Sequence, residues 1–291
     1  MLKLNYIQVK AIVRIFNTMF KSVHKVYDLL YFRYMCSKML NKTVLVTGAS
    51  RGLGLEIVKQ LCKRCEKITS AKVLATCRSP ESAVELKSLC DDNESLILKR
   101  LDVSDFSSYS QFTEDIRPIV EKEGISCLIN NAGISPKSTR YNRVTSDQMA
   151  ETFATNTIAP LLFSREMLPF LKTAASENMP NGPLIVNMSS ILGSIELNNP
   201  NSGIGSGGVY PYRASKTALN MISRSLSLDL SHVQVKVVAI HPGWVKTEMG
   251  GKNAPLTPEE SIKNVLNVIQ NFDAVQNNGC LIDYKGQKLP F

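Results

Sequence analysis

The stretch TGASRGLG, residues 47–54, joins a short apolar segment to a pattern typical of a helix. Its glycines Gly48, Gly52 and Gly54 allow a tight turn and a close approach of a ligand and of the following helix to the backbone. The first N–H groups of such a helix have no partners within it and attract anions. Because this turn follows the first strand of a chain that alternates strands and helices, it predicts the diphosphate site of a dinucleotide.

Outward from this turn, short apolar segments alternate with helical patterns as far as the C-terminus. The predicted strands are 43–47, 72–76, 95–101, 126–130, 183–188, 235–240 and 279–283. The predicted helices are about 53–66, 80–90, 106–122, 147–175, 211–230 and 258–271. Nearly continuous apolar strands are typical of parallel sheets that helices cover on both faces. We therefore predict an α/β fold, a single Rossmann-type doubly wound parallel sheet flanked by helices, and one dinucleotide-binding catalytic domain over residues 41–291.

The composition is that of an ordinary globular protein, with 44% hydrophobic and 20% charged residues in a chain of 291. The net charge is +9, and residues 1–40 contribute most of it through five Lys and two Arg against one Asp. The rest of the chain therefore lacks the clustered positive charge that a nucleic-acid-binding face needs. We expect no nucleic-acid partner.

Residues 1–40 carry apolar residues at helical spacing and place Lys and Arg largely on the other faces, which predicts a basic amphipathic N-terminal extension. Three interpretations stay open: contact with an anionic membrane surface, a mitochondrial or other organelle-targeting peptide, and an accidental extension before a protein that starts near Met35 or Met39. Seven scattered Cys without a secretory signal indicate a reducing compartment. We therefore expect a cytoplasmic protein.

The end of the second predicted strand indicates which dinucleotide binds. An NAD site places an acidic side chain there to bind the ribose hydroxyls. Here the sequence after Thr76 is Cys77-Arg78-Ser79, without an acid. Two cations, Arg78 at this strand end and Arg51 in the glycine turn, suit the 2′-phosphate of NADP. The alternative interpretation is that both are solvated surface arginines. We predict NADP(H) as the cofactor.

Tyr212 and Lys216 are four residues apart on a predicted helix, so they share one face. An ammonium beside a phenol favours the phenolate and lowers the pKa of the phenol, which suits a proton donor to a carbonyl oxygen. Ser190 follows a strand at the edge where ligands of parallel sheets bind, and its hydroxyl can stabilise negative charge there. Ser189 and Tyr210 are the competing candidates, but only Tyr212 has a Lys four residues later.

Six short motifs appear in order along the chain: TGASRGLG (47–54), LDV (101–103), NNAG (130–133), SS (189–190), YRASK (212–216) and HPGWVKT (241–247). Together they resemble the short-chain dehydrogenase/reductase family over about residues 41–291. The ending GCLIDYKGQKLPF (279–291) is similar to that of the carbonyl reductases grouped with the sniffer and C-factor proteins.

The resemblance implies a role for each matching position. It implies that Asp102 and Val103 hold the adenine, and that Asn156 keeps a proton-relay water near the lysine. It also implies that Ser190 polarises the carbonyl, that Tyr212 is the acid/base, and that Lys216 binds the nicotinamide ribose. The expected catalytic residues are thus Asn156, Ser190, Tyr212 and Lys216. The expected cofactor-binding residues are Gly48, Ser50, Arg51, Gly52, Leu53, Gly54, Arg78, Asp102, Val103, Asn130, Ala132, Gly133, Tyr212, Lys216, Pro242, Gly243, Val245 and Thr247, the last at the nicotinamide carboxamide.

The sequence departs from the family in the separation of Ser190 and Tyr212, which at 22 residues is longer than is usual in the family. The extra residues are the Gly- and Asn-rich stretch 193–208, which has to leave and return beside the site. We predict a mobile loop that borders the substrate mouth.

The main hypothesis is an NADPH-dependent carbonyl reductase that transfers a hydride to an aldehyde or ketone, its small-molecule substrate. Three scattered His give no metal-ligand spacing, so we expect no metal. The alternatives are an NAD-linked alcohol or steroid dehydrogenase, and a dinucleotide-binding signalling protein with little turnover. The long predicted helix 147–175 is compatible with a homodimer.

Overall fold

A computed structural model describes residues 40, 42–65, 71–137, 139–176, 179 and 182–291. The amphipathic helix predicted within residues 1–40 lies almost wholly outside the described residues, as do the membrane and targeting interpretations that depend on it. None of the helices in the described ranges is long and apolar enough to cross a membrane.

The described strands form one eight-stranded sheet in the order β3-β2-β1-β4-β5-β6-β7-β8, parallel except for β8. The strands are β1 (Val44–Val46), β2 (Val73–Cys77), β3 (Leu96–Arg100), β4 (Cys127–Asn130), β5 (Leu184–Met188), β6 (Lys236–His241), β7 (Leu281–Asp283) and β8 (Lys288–Leu289). The predicted doubly wound α/β fold is confirmed, and each predicted strand has its counterpart. The antiparallel β8 was not predicted, because two residues give no pattern.

Eight α-helices connect these strands within the described ranges. They are α1 (Gly52–Cys65), α2 (Val84–Asp91), α3 (Tyr109–Val120), α4 (Ser146–Phe153), α5 (Ala159–Ser176), α6 (Tyr210–Asp229), α7 (Pro258–Gln270) and α8 (Ala274–Asn277). Short 3₁₀ turns precede α2 and α3 at Pro80–Ser82 and Phe106–Ser108. The predicted helices therefore begin and end near their observed limits, and only the short α8 was not predicted.

The prediction of one continuous helix over 147–175 was wrong at its centre. Between α4 and α5 the chain forms a π-helical turn, Ala154–Ile158, in which the Ala159 N–H bonds to the Ala154 carbonyl. Sequence periodicity does not reveal this wider turn, because the contacts that accompany it are tertiary. Asn156 within the turn hydrogen-bonds the backbone N–H and carbonyl of Ile134, which lies just after β4. Such turns interrupt helices frequently at functional sites.

Helices cover both faces of the sheet because successive residues of a strand point in opposite directions. On β1, Val44 and Val46 belong to the core cluster that contains α1 and α7. Leu45 between them belongs to the cluster that contains α3 and α5. All three side chains are buried, which is why β1 shows a continuous apolar run rather than an alternating one.

The order of the strands locates the ligand crevice. The chain proceeds from β1 to β2 and β3 on one side, then returns to place β4 on the other side of β1. In open parallel sheets, ligands bind outside the carboxyl ends of the strands at such a reversal. The turns after β1 and β4, and their neighbours after β5 and β6, therefore form the candidate site.

The packing of α5 against α3 can be tested by a substitution at Phe163. Its side chain is buried, with ring centroids 5.2 Å from Tyr109 and 5.6 Å from Phe112. Phe163→Ala leaves a cavity and should lower the free energy of unfolding by about 3–5 kcal/mol, measured by urea denaturation. Met221→Ala, at a side chain that is 66% exposed on α6, is the control and should cost less than about 0.5 kcal/mol. A loss below about 1 kcal/mol for Phe163→Ala would contradict this packing.

Candidate active site

The turn after β1 and the turn after β4 are bonded to each other. The Asn131 side-chain amide donates to the carbonyls of Thr47 and Gly48 at 3.0 and 3.1 Å. The backbone N–H groups of Asn131 and Ala132 both donate to the Thr47 hydroxyl at 3.1 Å. The NNAG motif thus fixes the shape of the glycine turn before any ligand binds.

Two glycines of this turn are required by close backbone approach. A Cβ on Gly48 would lie 2.8 Å from the Ala132 Cα, and one on Gly54 would lie 2.2 Å from the Gly48 carbonyl oxygen. Gly48 also has a φ of +67°, which other residues rarely adopt. Helix α1 begins at Gly52 with no acidic side chain in its first turn, and Ser50 and Leu53 flank that start. The N-terminus of α1 therefore offers uncompensated N–H groups to an anion.

The two arginines proposed for the 2′-phosphate have different neighbours in the structure. Arg78 follows β2 and lines a cavity of about 670 Å³ together with Arg100 and Asp102. The Arg51 Nη1 lies 3.3 Å from the Glu248 Oε2 on the loop after β6. Arg78 thus lies where the sequence predicts a phosphate ligand, whereas Arg51 is bound to a carboxylate. No pattern in the sequence indicates a role for Glu248.

The residues proposed for the adenine lie in the turn after β3. The Asp102 carboxylate accepts from the N–H and the hydroxyl of Ser104 at 2.9 and 2.7 Å. The Val103 side chain is buried, and its carbonyl accepts from the Tyr109 hydroxyl at 2.5 Å. This turn is therefore held by its own hydrogen bonds at the rim of the cavity.

Tyr212, Lys216 and Ser190 come together at the carboxyl end of β5. Tyr212 shares a side-chain hydrogen bond with Ser190, and the Lys216 Nζ lies 5.7 Å from the Tyr212 ring centroid. The ammonium of Lys216 donates to the Met188 carbonyl at 2.7 Å. The Ser189 hydroxyl instead donates to Asn220 on α6 at 2.6 Å. Of the two serines, the one beside the phenol is thus Ser190.

Burial determines the charge states of this group. It raises the pKa of Tyr212 above its ordinary value, and the hydrogen bond with Ser190 acts in the opposite direction. It lowers the pKa of Lys216 from 10.5 to about 8. The phenol is therefore protonated at neutral pH. The effect expected from the sequence, a phenol whose pKa the ammonium lowers, is outweighed here by burial.

Asn156 lies beside the lysine. Its Nδ2 donates to the Ile134 carbonyl at 2.9 Å and to the Ser215 hydroxyl at 3.1 Å. A Cβ on Gly133 would lie 3.3 Å from the Asn156 Oδ1 and 3.7 Å from the Lys216 Nζ. The three residues therefore surround one small space that a side chain at position 133 would occupy.

Asn130, expected to line the cofactor, directs its side chain into the protein. Its amide donates to the Asn187 Oδ1 at 2.8 Å and to the Ser164 hydroxyl at 3.0 Å. The Asn187 amide in turn donates to the Ser223 hydroxyl on α6 at 2.8 Å. All four residues are buried, so this network joins β4 and β5 to α5 and α6. The register pairs Asn130 with Asn187, but the sequence does not reveal register.

The loop after β6 folds onto the glycine turn. Pro242 accepts a hydrogen bond from Ser261 of α7 at 2.6 Å, Gly243 has a φ of +86°, and Val245 forms a bridge with Leu256. The Thr247 methyl would lie 3.7 Å from a Cβ on Gly52. The predicted nicotinamide-side residues are therefore adjacent to the predicted diphosphate turn.

The Gly-rich stretch 193–208 is tied to α6 at both ends. The Gly193 carbonyl accepts from Thr217 and Asn220 at 2.9 and 3.2 Å. The buried Arg213 guanidinium donates to the carbonyls of Gly205 and Gly207 at 2.9 and 3.1 Å. The loop is thus anchored to α6, the helix that carries Tyr212. This agrees with its position in the sequence between Ser190 and Tyr212. Its mobility stays a prediction.

An α/β sheet with a phosphate-type turn at its first strand and a Ser–Tyr–Lys group at its fifth defines the class of dinucleotide-dependent oxidoreductases. The sequence model of the short chain dehydrogenases matches residues 42–256. The chain belongs to the short-chain dehydrogenase family of oxidoreductases.

Known proteins of this family resemble the chain over most of its length. The carbonyl reductase Sniffer of Drosophila melanogaster is 37% identical with a TM-score of 0.79, over 86% of this chain and 99% of that one. The NADPH-bound carbonyl reductase from chicken fatty liver is 36% identical with a TM-score of 0.77, over 86% and 99%. The C-signal of Myxococcus xanthus is 36% identical over 167 residues, 57% of this chain and 93% of that protein.

The pKa of Lys216 predicts a pH dependence of stability. Between about pH 8 and 10.5 the unfolded chain binds a proton at this lysine that the folded chain has lost, so the free energy of unfolding rises with pH there. The gain is on the order of 3 kcal/mol. Urea denaturation of wild type and Lys216→Met across this range should show a difference that grows with pH. A difference independent of pH would contradict the lowered pKa.

Proposed function

We propose that this chain is an NADPH-dependent carbonyl reductase that reduces an aldehyde or ketone. The observation that carries the proposal is the group of Tyr212, Ser190 and Lys216 at the carboxyl end of β5. The carbonyl reductase from chicken fatty liver, with NADPH bound, supports both the reaction and the cofactor.

The residues present fit a dinucleotide. The N-terminus of α1 offers backbone N–H groups for the diphosphate. Arg78 beside Asp102 suits a 2′-phosphate at the adenine end. Lys216 is 4% exposed and, among the described residues, hydrogen-bonds only to Met188, so two of its three N–H groups can bind ribose hydroxyls.

In this mechanism the bound nicotinamide supplies the hydride. Tyr212 donates its proton to the carbonyl oxygen as the carbon is reduced, so the product is an alcohol. Ser190 donates a hydrogen bond to the same oxygen, where negative charge develops. Lys216, as an ammonium at neutral pH, stabilises the phenolate that Tyr212 becomes. A phenol whose pKa is raised by burial is protonated before the reaction, as a proton donor has to be.

Exposed apolar side chains on the loops at this edge support a substrate with an apolar part. They come from the segments after β4, β5 and β6, and from the C-terminus: Tyr141, Ile195, Trp244, Met249 and Phe291. The Ile195 segment and the last residue meet, since the Glu196 N–H donates to a main-chain oxygen of Phe291 at 3.1 Å. An apolar carbonyl compound is therefore preferred over a strongly polar one.

The identity with the C-signal favours a second candidate, a signalling protein that binds a dinucleotide with little turnover. The two functions differ in their need for the phenol. Binding requires the glycine turn and Arg78, whereas turnover also requires Tyr212. A panel of aldehydes and ketones assayed with NADPH separates them, because the signalling function is supported only if no member of the panel is reduced.

Tyr212→Phe removes the proton donor and keeps the ring. We expect carbonyl reduction with NADPH to fall at least about 10²-fold, while NADPH binding, followed through the fluorescence of the single tryptophan, changes little. Tyr210→Phe is the matched control, since Tyr210 is 41% exposed and lies near Tyr141 rather than Ser190. Wild-type turnover in Tyr212→Phe would refute the assignment.

Arg78→Gln tests the choice of cofactor. If Arg78 binds the 2′-phosphate, its loss should weaken NADPH about tenfold or more and leave NADH within about twofold, since NADH has no such group. Both dissociation constants are measured by titration calorimetry. A wild type that prefers NADH, or a variant that loses both cofactors equally, argues for the NAD-linked alcohol or steroid dehydrogenase instead.

A further inference from the structure

Arg51 and Glu248 join the turn after β1 to the loop after β6. Arg51 lies in the turn after β1, and Glu248 follows Thr247 on the loop after β6. Their charged atoms are 3.3 Å apart, and both side chains are about three quarters exposed. An ion pair in this setting is weak, because water screens both charges.

The position of Glu248 is fixed by its own loop. The Thr247 Oγ1 accepts from the Gly250 N–H at 3.0 Å, and the Gly251 N–H donates to the Thr247 carbonyl at 2.8 Å. The Trp244 indole donates to the Gly250 carbonyl at 2.7 Å, and the Lys246 N–H donates to the Leu256 carbonyl at 2.8 Å. These bonds close a compact turn, so Glu248 is presented to Arg51 by a preformed backbone.

The two arginines that line the cavity at the proposed adenine end lack the ion pair that Arg51 has. Arg78 and Arg100 line the cavity with three aspartates, yet neither forms an ion pair among the described residues. Of the three arginines, Arg51 alone is paired with a carboxylate among the described residues. A phosphate that approaches Arg51 must therefore exchange places with Glu248 or tolerate its charge.

We infer that Glu248 is a specificity-determining residue that competes with the 2′-phosphate of NADP for Arg51. The inference rests on the proposed use of NADP. A 2′-phosphate carries up to two negative charges, so a carboxylate nearby opposes it more strongly than it opposes the neutral hydroxyl of NAD. Glu248 therefore weakens NADPH selectively and reduces the preference that Arg51 and Arg78 create.

The test is Glu248→Gln in the full chain, with dissociation constants for NADPH and NADH measured by titration calorimetry. We expect NADPH to bind about three- to tenfold more tightly and NADH to change less than about twofold. At 1 M salt the gain for NADPH should largely vanish, because the screening length is then about 3 Å. In an Arg51→Gln background, Glu248→Gln should have a clearly smaller effect on NADPH binding, because there is then no arginine for which Glu248 and the phosphate compete.

Glu114→Gln is the matched control. Glu114 is also an exposed carboxylate paired with an arginine, Arg117 at 2.7 Å, but both lie on α3. The same change of net charge there should leave both dissociation constants within about twofold. A tightening of NADPH by Glu114→Gln equal to that by Glu248→Gln would assign the effect to net charge and overturn the inference.

The remaining outcomes separate the inference from the proposed function. If wild type binds NADPH but Glu248→Gln weakens it, or shifts both cofactors equally, Glu248 is no competitor and the inference alone fails. If wild type binds neither dinucleotide, the proposed function fails and the inference fails with it.

Discussion

The hydrogen bond from the Lys216 ammonium to the Met188 carbonyl is the contact on which the candidate site depends. It joins α6 to the last residue of β5, and Ser190 lies two residues beyond that carbonyl. A buried ammonium costs free energy unless it is hydrogen-bonded, so the position of Lys216 is tightly restricted. Because Tyr212 is one helical turn from Lys216, this restriction also places the phenol beside Ser190. The same burial lowers the pKa of Lys216, because desolvation disfavours its charged form.

The fold was predictable because its strands are apolar on both faces. Val44, Leu45 and Val46 are all buried, and such runs identify parallel strands without knowledge of their neighbours. The π-helical turn at Ala154–Ile158 and the two-residue β8 were not predictable. The π-helical turn accompanies bonds between Asn156 and Ile134, and β8 pairs with β7, so both depend on contacts between distant parts of the chain.

The parts of the candidate site that depend on backbone conformation or on helical spacing were predictable from the sequence. The glycines at 48 and 54 and the spacing of Tyr212 and Lys216 are properties of the local sequence. The direction of a side chain is not. Asn130 ends a strand at the correct edge, yet its amide bonds to Asn187 and Ser164 inside the protein. Arg51 lies in the correct turn, yet its guanidinium is near Glu248, a residue about two hundred positions later.

The long step between Ser190 and Tyr212 is compatible with this site because helix α6 holds both ends of the extra loop. Thr217 and Asn220 bind its start at Gly193, and Arg213 binds its end near Gly207. Once the ends are fixed, the entropic cost of added loop residues rises only with the logarithm of their number. The glycines at 203 and 205 have positive φ and open space around them, so they shape the loop without packing against the site. The length of the loop can therefore vary while the distance between the Tyr212 phenol and Ser190 stays the same. The shape of the substrate mouth is thus independent of the geometry of proton transfer.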